Sequence, residues 1–113
     1  MSANRRRGEI FAELDGKPRR LCLTLGALSE LEAVYAASDL SALVERFSSG
    51  RLSALDMIRI SGAGLRGAGD DVTDAAVGVM QSEGGAAGFA AMVADLLTTT
   101  FGATPKDAAG PNP

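Results

Sequence analysis

In the stretch Leu21-Cys22-Leu23-Thr24-Leu25-Gly26-Ala27-Leu28-Ser29-Glu30-Leu31-Glu32, the spacing of the large apolar residues changes half way. Leu21, Leu23 and Leu25 sit two apart, on one side of an extended strand. Leu25, Leu28 and Leu31, then Val34 or Tyr35, sit three or four apart, on one stripe of a helix. A strand therefore turns directly into a helix, and one apolar face carries through the turn. Residues upstream can pair with the strand, and residues downstream can pack on the helix.

Before this stretch, Glu9 to Leu14 alternates, with Ile10, Ala12 and Leu14 on one side, and Asp15-Gly16 is a strong hairpin signal. Lys17-Pro18 is expected to extend the turn, because proline cannot donate to a ladder, which places the return strand at Arg20 to Thr24. A lone hairpin is marginal in water and needs a helix on its apolar face. Thr24 or Gly26 opens the first helix, which frays near Ala36-Ala37. Ser38 reads as the cap of a second helix over Asp39 to Phe47, with Leu40, Leu43, Val44 and Phe47 inward and Gly50 at its stop.

Ser53 caps a third helix, with Asp56 close to a capping box. Leu55, Ile58 and Leu65 mark its inner face, flanked by Met57 and Ile60. Gly62, Gly64 and Gly67 weaken its end and permit a close neighbour. Asp71 or Thr73 caps a short fourth helix carrying Val72, Ala76, Val79 and Met80, which Gly84-Gly85 breaks. The last helix runs from about Ala86 to Phe101, and its stripe of Phe89, Met92, Val93, Leu96, Leu97 and Phe101 makes it a principal core element. The fold class predicted is α+β, mainly α: an N-terminal β-hairpin packed on a small bundle of four to five helices. It occupies residues 8–102, between a disordered basic N-terminus (1–7) and a flexible tail (103–113).

The residue types exclude much chemistry. Histidine is absent, which removes the commonest general base and metal ligand. Cys22 is the one cysteine, so neither an internal disulfide nor a cysteine zinc site can form. Gly62-Ala63-Gly64-Leu65-Arg66-Gly67 spells the dinucleotide pattern, but it follows a helical stretch where the motif needs a strand. Asp70, Asp71 and Asp74 miss the spacing of a calcium loop. No catalytic residue, cofactor or metal site is expected. No leader or membrane span is read in the chain, and the expected location is the bacterial host cytosol.

Formal charge is −3, yet residues 1–20 hold six Lys/Arg against three acids. Arg5, Arg6, Arg7, Lys17, Arg19 and Arg20 form a candidate basic patch. No aromatics interleave with these arginines to stack on bases, which argues against nucleic acid.

Four runs together resemble a known family: Arg5-Arg6-Arg7-Gly8-Glu9-Ile10, the Leu21–Glu32 stretch, Gly50-Arg51-Leu52-Ser53, and Gly62 to Gly69. The chain resembles a small protein encoded among the tail genes of gene transfer agents and related siphophages. That family is classed with phage tail assembly chaperones and also labelled phage tail tube protein. The resemblance implies a non-enzymatic chaperone that binds the tape measure protein, tail tube subunits or both during assembly. A structural minor tail component is the alternative, and a small DNA-binding protein the third reading. Self-association is left open. Met57, Ile60, Gly62, Gly64, Leu65 and Met80 are the candidate partner-binding residues, as a low-bulk surface for an apolar helix.

Overall fold

Strands β1 (Glu9–Leu14) and β2 (Lys17–Cys22) pair antiparallel, from Leu14↔Lys17 to Glu9↔Cys22. They belong to a computed structural model that describes residues 7–49 and 51–102. Asp15 and Gly16 alone make the turn, both left-handed (φ 56° and 75°), as a tight right-twisted hairpin requires. Lys17 and Pro18 are thus strand residues, against the sequence expectation of a longer turn. Pairs alternate between bonded and non-bonded along an antiparallel ladder. Leu14↔Lys17 closes the turn, so Pro18, opposite Glu13, sits where a backbone N–H would point outward and is not needed.

Five helices come after the hairpin: α1 (Leu25–Tyr35), α2 (Leu40–Ser48), α3 (Ala54–Gly67), α4 (Asp74–Gly78) and α5 (Gly85–Phe101). The Thr24 hydroxyl caps α1 by accepting from the Ala27 N–H. Asp39, not Ser38, caps α2 through the Ala42 N–H. Ser53 and Asp56 exchange both bonds of a capping box at α3, and Thr73 caps α4. The expectations for residues 1–6, Gly50 and 103–113 lie outside the described residues.

Helix α3 is the axle, packing against β2, α1, α4 and α5. Ile10 and Leu14 of β1, Leu21 of β2, Leu31 of α1, Leu43 of α2, Ile60 and Leu65 of α3, Val77, and Val93 and Leu96 of α5 are fully buried. The strand-to-helix face holds at Leu21, Leu23, Leu28 and Leu31 but fails at Leu25, which is 76% exposed, and at Val34. The buried stripe of α1 is Ala27, Leu28 and Leu31. Ala27 lies inward because α3 comes too close for anything larger: a Cβ built on Gly67 stands 3.3 Å from that of Ala27. Leu55 (51% exposed) and Val79 (80%) also face outward, with Asp56 and Val77 buried in their place.

Helix α1 ends at Ala36, whose left-handed backbone (φ 52°) lets its N–H reach the Glu32 and Ala33 carbonyls. A Cβ in that region is strained by about 1 kcal/mol. Ala36→Gly is therefore expected to stabilise the domain by about 0.5–1 kcal/mol. Chemical denaturation should show a raised midpoint at unchanged slope.

Candidate functional site

Three groups of side chains lie beyond the core. The first is built around Tyr35, at the end of α1. Its hydroxyl donates to Asp56 Oδ1 at 2.6 Å, while Asp56 Oδ2 accepts the Ser53 N–H at 2.9 Å. The Arg46 guanidinium lies 4.4 Å from the ring centroid, that of Arg59 lies 5.5 Å away, and Phe47 meets the ring edge-on at 5.4 Å. Both cation distances fall within cation–π range.

Burial pushes the Tyr35 phenol up to about 12, helped by its bond to Asp56. Burial also raises Asp56, but the bonds from Tyr35 and Ser53, with Arg46 alongside, outweigh it and leave that carboxyl below its ordinary value. Linkage sets the signs. Asp56 adds stability above its unfolded pKa, and that is lost as pH falls through the folded value. Tyr35 adds stability that is complete below about pH 10 and lost as pH rises towards about 12. The chain has one tyrosine, so phenolate absorbance reports this site alone. Its alkaline titration should lie about two pH units above that of the urea-unfolded chain.

The second group is centred on Arg66. It donates to the Val72 carbonyl and to Asp74 Oδ1, each at 3.0 Å, and to Glu30 of α1. One guanidinium thus ties α1, α3 and α4 together.

The third is an open groove between α3, α4 and the start of α5, a cavity of about 190 Å³. Ala54, Met57, Ile58, Val77, Gly78, Met80, Ala86 and Phe89 line it, all without charge. Beside it, α5 carries one ionisable residue, Asp95, and its outer positions Ala87, Ala91, Ala94 and Thr98 are exposed and uncharged.

The sequence-derived candidates divide. Met57 and Met80 are half-buried and line the groove. Ile60, Gly62, Gly64 and Leu65 are buried within the domain and offer no outer surface. Gly64 faces Leu96 and Leu21, and the space a Cβ would take at Gly62 is filled by the Asp74 carboxylate. The glycine-rich stretch is α3 itself, so it packs helices and opens no loop. Ile58, Val77 and Phe89 complete the groove; strict spacing places Ile58 inward and leaves Val77 unmarked.

Among the described residues, the basic side chains Arg7, Lys17, Arg19 and Arg20 do not gather into one patch. Arg19, on the inner face of β2, donates to the Leu14 carbonyl and pairs with Asp70 at 3.3 Å. Arg20, one residue on, points to the other face opposite Phe11. Lys17 stands at the turn, while Arg7 lies at the far end, where its carbonyl accepts from the Cys22 thiol. Strand rise separates those ends by about 17 Å. Arg5 and Arg6 lie outside the described residues. Burial, then Glu9, push the Cys22 thiol up, away from a reactive thiolate. Among the described residues no cluster of three or more His, Cys, Asp or Glu could hold a metal ion, and no helix is long and apolar enough to cross a membrane.

A groove of uncharged side chains, a neutral helix face and a guanidinium–tyrosine cluster thus lie at the surface of the domain. The chain belongs to the family described as phage tail tube protein, GTA-gp10, whose model matches residues 7–103. No curated protein and no solved structure matches it.

Proposed function

We propose that this chain is a non-enzymatic tail assembly chaperone, working in the host cytosol. In this reading it takes an apolar helical segment of the tape measure protein into the α3–α4–α5 groove. The observation that carries the reading is the lining itself. Met57 and Met80 bring flexible thioethers that adapt to varied apolar partners, and Phe89 brings a broad flat face. The exposed Ala face of α5 adjoins the groove through Ala86, so a docked helix meets no charge to desolvate. A structural component of the tail tube is the second reading, favoured by the wording of the family description.

Two measurements separate these. Met57→Glu and Met80→Glu each place a carboxylate in the groove. Each is expected to abolish co-purification with the tape measure protein while leaving the circular dichroism spectrum intact. Undiminished capture by both variants sinks the groove as the docking site. Finished particles are then probed for this chain. A chaperone is absent from them, and a tube component is present in many copies.

A further inference from the structure

We propose that Arg46 and Arg59, both held against Tyr35, form a docking site for a carboxylate-rich segment of a protein partner. This surface is separate from the apolar groove, and the inference does not rest on the chaperone reading.

The pairing inside the cluster leaves its cations underused. Asp56 is the one carboxylate with them, and its oxygens are already engaged by shorter bonds: Oδ1 by the Tyr35 hydroxyl, Oδ2 by the Ser53 N–H. Arg46 reaches Asp56 only at 3.8 Å, beyond hydrogen-bond length, and its side chain is 52% exposed. Arg59 has no carboxylate partner among the described residues. The other paired arginines differ: Arg19 bonds Asp70, and Arg66 bonds two carboxylates and a carbonyl. Arg51, two residues ahead of the Ser53 cap, is exposed as well.

Contact with one tyrosine holds the two guanidinium groups before any ligand arrives. Less side-chain entropy is then lost when a carboxylate takes their donors two at a time. The charge around the cluster selects the partner class. The chain is −3 overall and its cationic excess here is local, so a long polyanion such as duplex DNA meets net repulsion beyond the patch, whereas a short run of Asp and Glu does not.

The only Tyr is Tyr35 and there is no Trp, so intrinsic fluorescence reads this cluster directly. The full chain is titrated with a Glu-rich peptide, with a Gln-rich peptide of equal length and with duplex DNA, at low and at high salt. Saturable change in Tyr35 emission is expected with the Glu-rich peptide alone, weakening as salt rises. Arg46→Gln and Arg59→Gln should each reduce affinity about tenfold. Arg46→Lys should recover only part of the loss, because an ammonium lacks the planar fork. No response to the Glu-rich peptide overturns the proposal, as does binding that survives Arg46→Gln unchanged. Arginine-dependent binding of duplex DNA at equal or greater strength overturns the partner class. Arg46 is half-exposed, so its variant decides the matter even if Arg59→Gln fails to fold.

Discussion

Gly67→Ala is expected to destabilise the domain by about 3 kcal/mol and to lower the melting temperature by more than about 10 °C. Gly67 ends α3 where that helix crosses both the last residue of β2 and the first turns of α1. A Cβ there would fall on the Cys22 carbonyl oxygen, which is backbone and cannot swing aside. Alanine ordinarily gains up to about 1 kcal/mol over glycine inside a helix, and here the collision reverses the sign. Gly26→Ala is the control. Its Cβ would meet nothing closer than Thr24 Oγ1 at 3.8 Å, so the same exchange within α1 should be neutral or mildly stabilising. Thermal unfolding of the two variants side by side checks the contrast, and equal melting temperatures would refute the close contact at Gly67.

Arg66→Ala is expected to cost about 2 kcal/mol, read as a lower urea midpoint. The figure is modest for a residue with three partners because Glu30 and Asp74 are each about two-fifths exposed and water screens them. Arg66→Lys should recover little, since one ammonium cannot face Glu30, Asp74 and the Val72 carbonyl together. Glu30→Gln and Asp74→Asn should each lose less than Arg66→Ala. Added salt should narrow the gap between wild type and variant. A midpoint for Arg66→Ala within experimental error of wild type would mean that the guanidinium is ornamental.

The features legible in the chain alone are the local ones. The hairpin, the caps at Thr24, Ser53 and Thr73, and the inward stripe of α5 are each announced by adjacent residues. Leu25, Leu55 and Val79 mislead because periodicity weights bulk, whereas closeness between helices selects small residues. Ala27 turns inward to meet Gly67, and Gly64 leaves room for Leu96. Asp56 is buried against every expectation from polarity, and is tolerated because Tyr35 and Ser53 satisfy its oxygens. That pairing joins residues 21 apart, and Arg66 reaches 36 residues back to Glu30. No window along the sequence contains either. Among the described basic residues the reason for separation is simpler: Arg19 and Arg20 are consecutive in a strand and so point to opposite faces.

The tip of the hairpin is not left to itself. The Asp15 N–H donates to the Gln81 carbonyl at 2.8 Å, the Gln81 N–H returns to Asp15 Oδ1 at 2.9 Å, and Leu14 bridges to Ser82. A ribosome releases Asp15 long before it releases Gln81, 66 residues later. During synthesis α3 can reach β2 first, but the tip must wait until the final third of the polypeptide emerges, and closing so long a loop is entropically slow. A truncation before Gln81 should therefore leave a sticky, aggregation-prone fragment, not a smaller version of the finished domain.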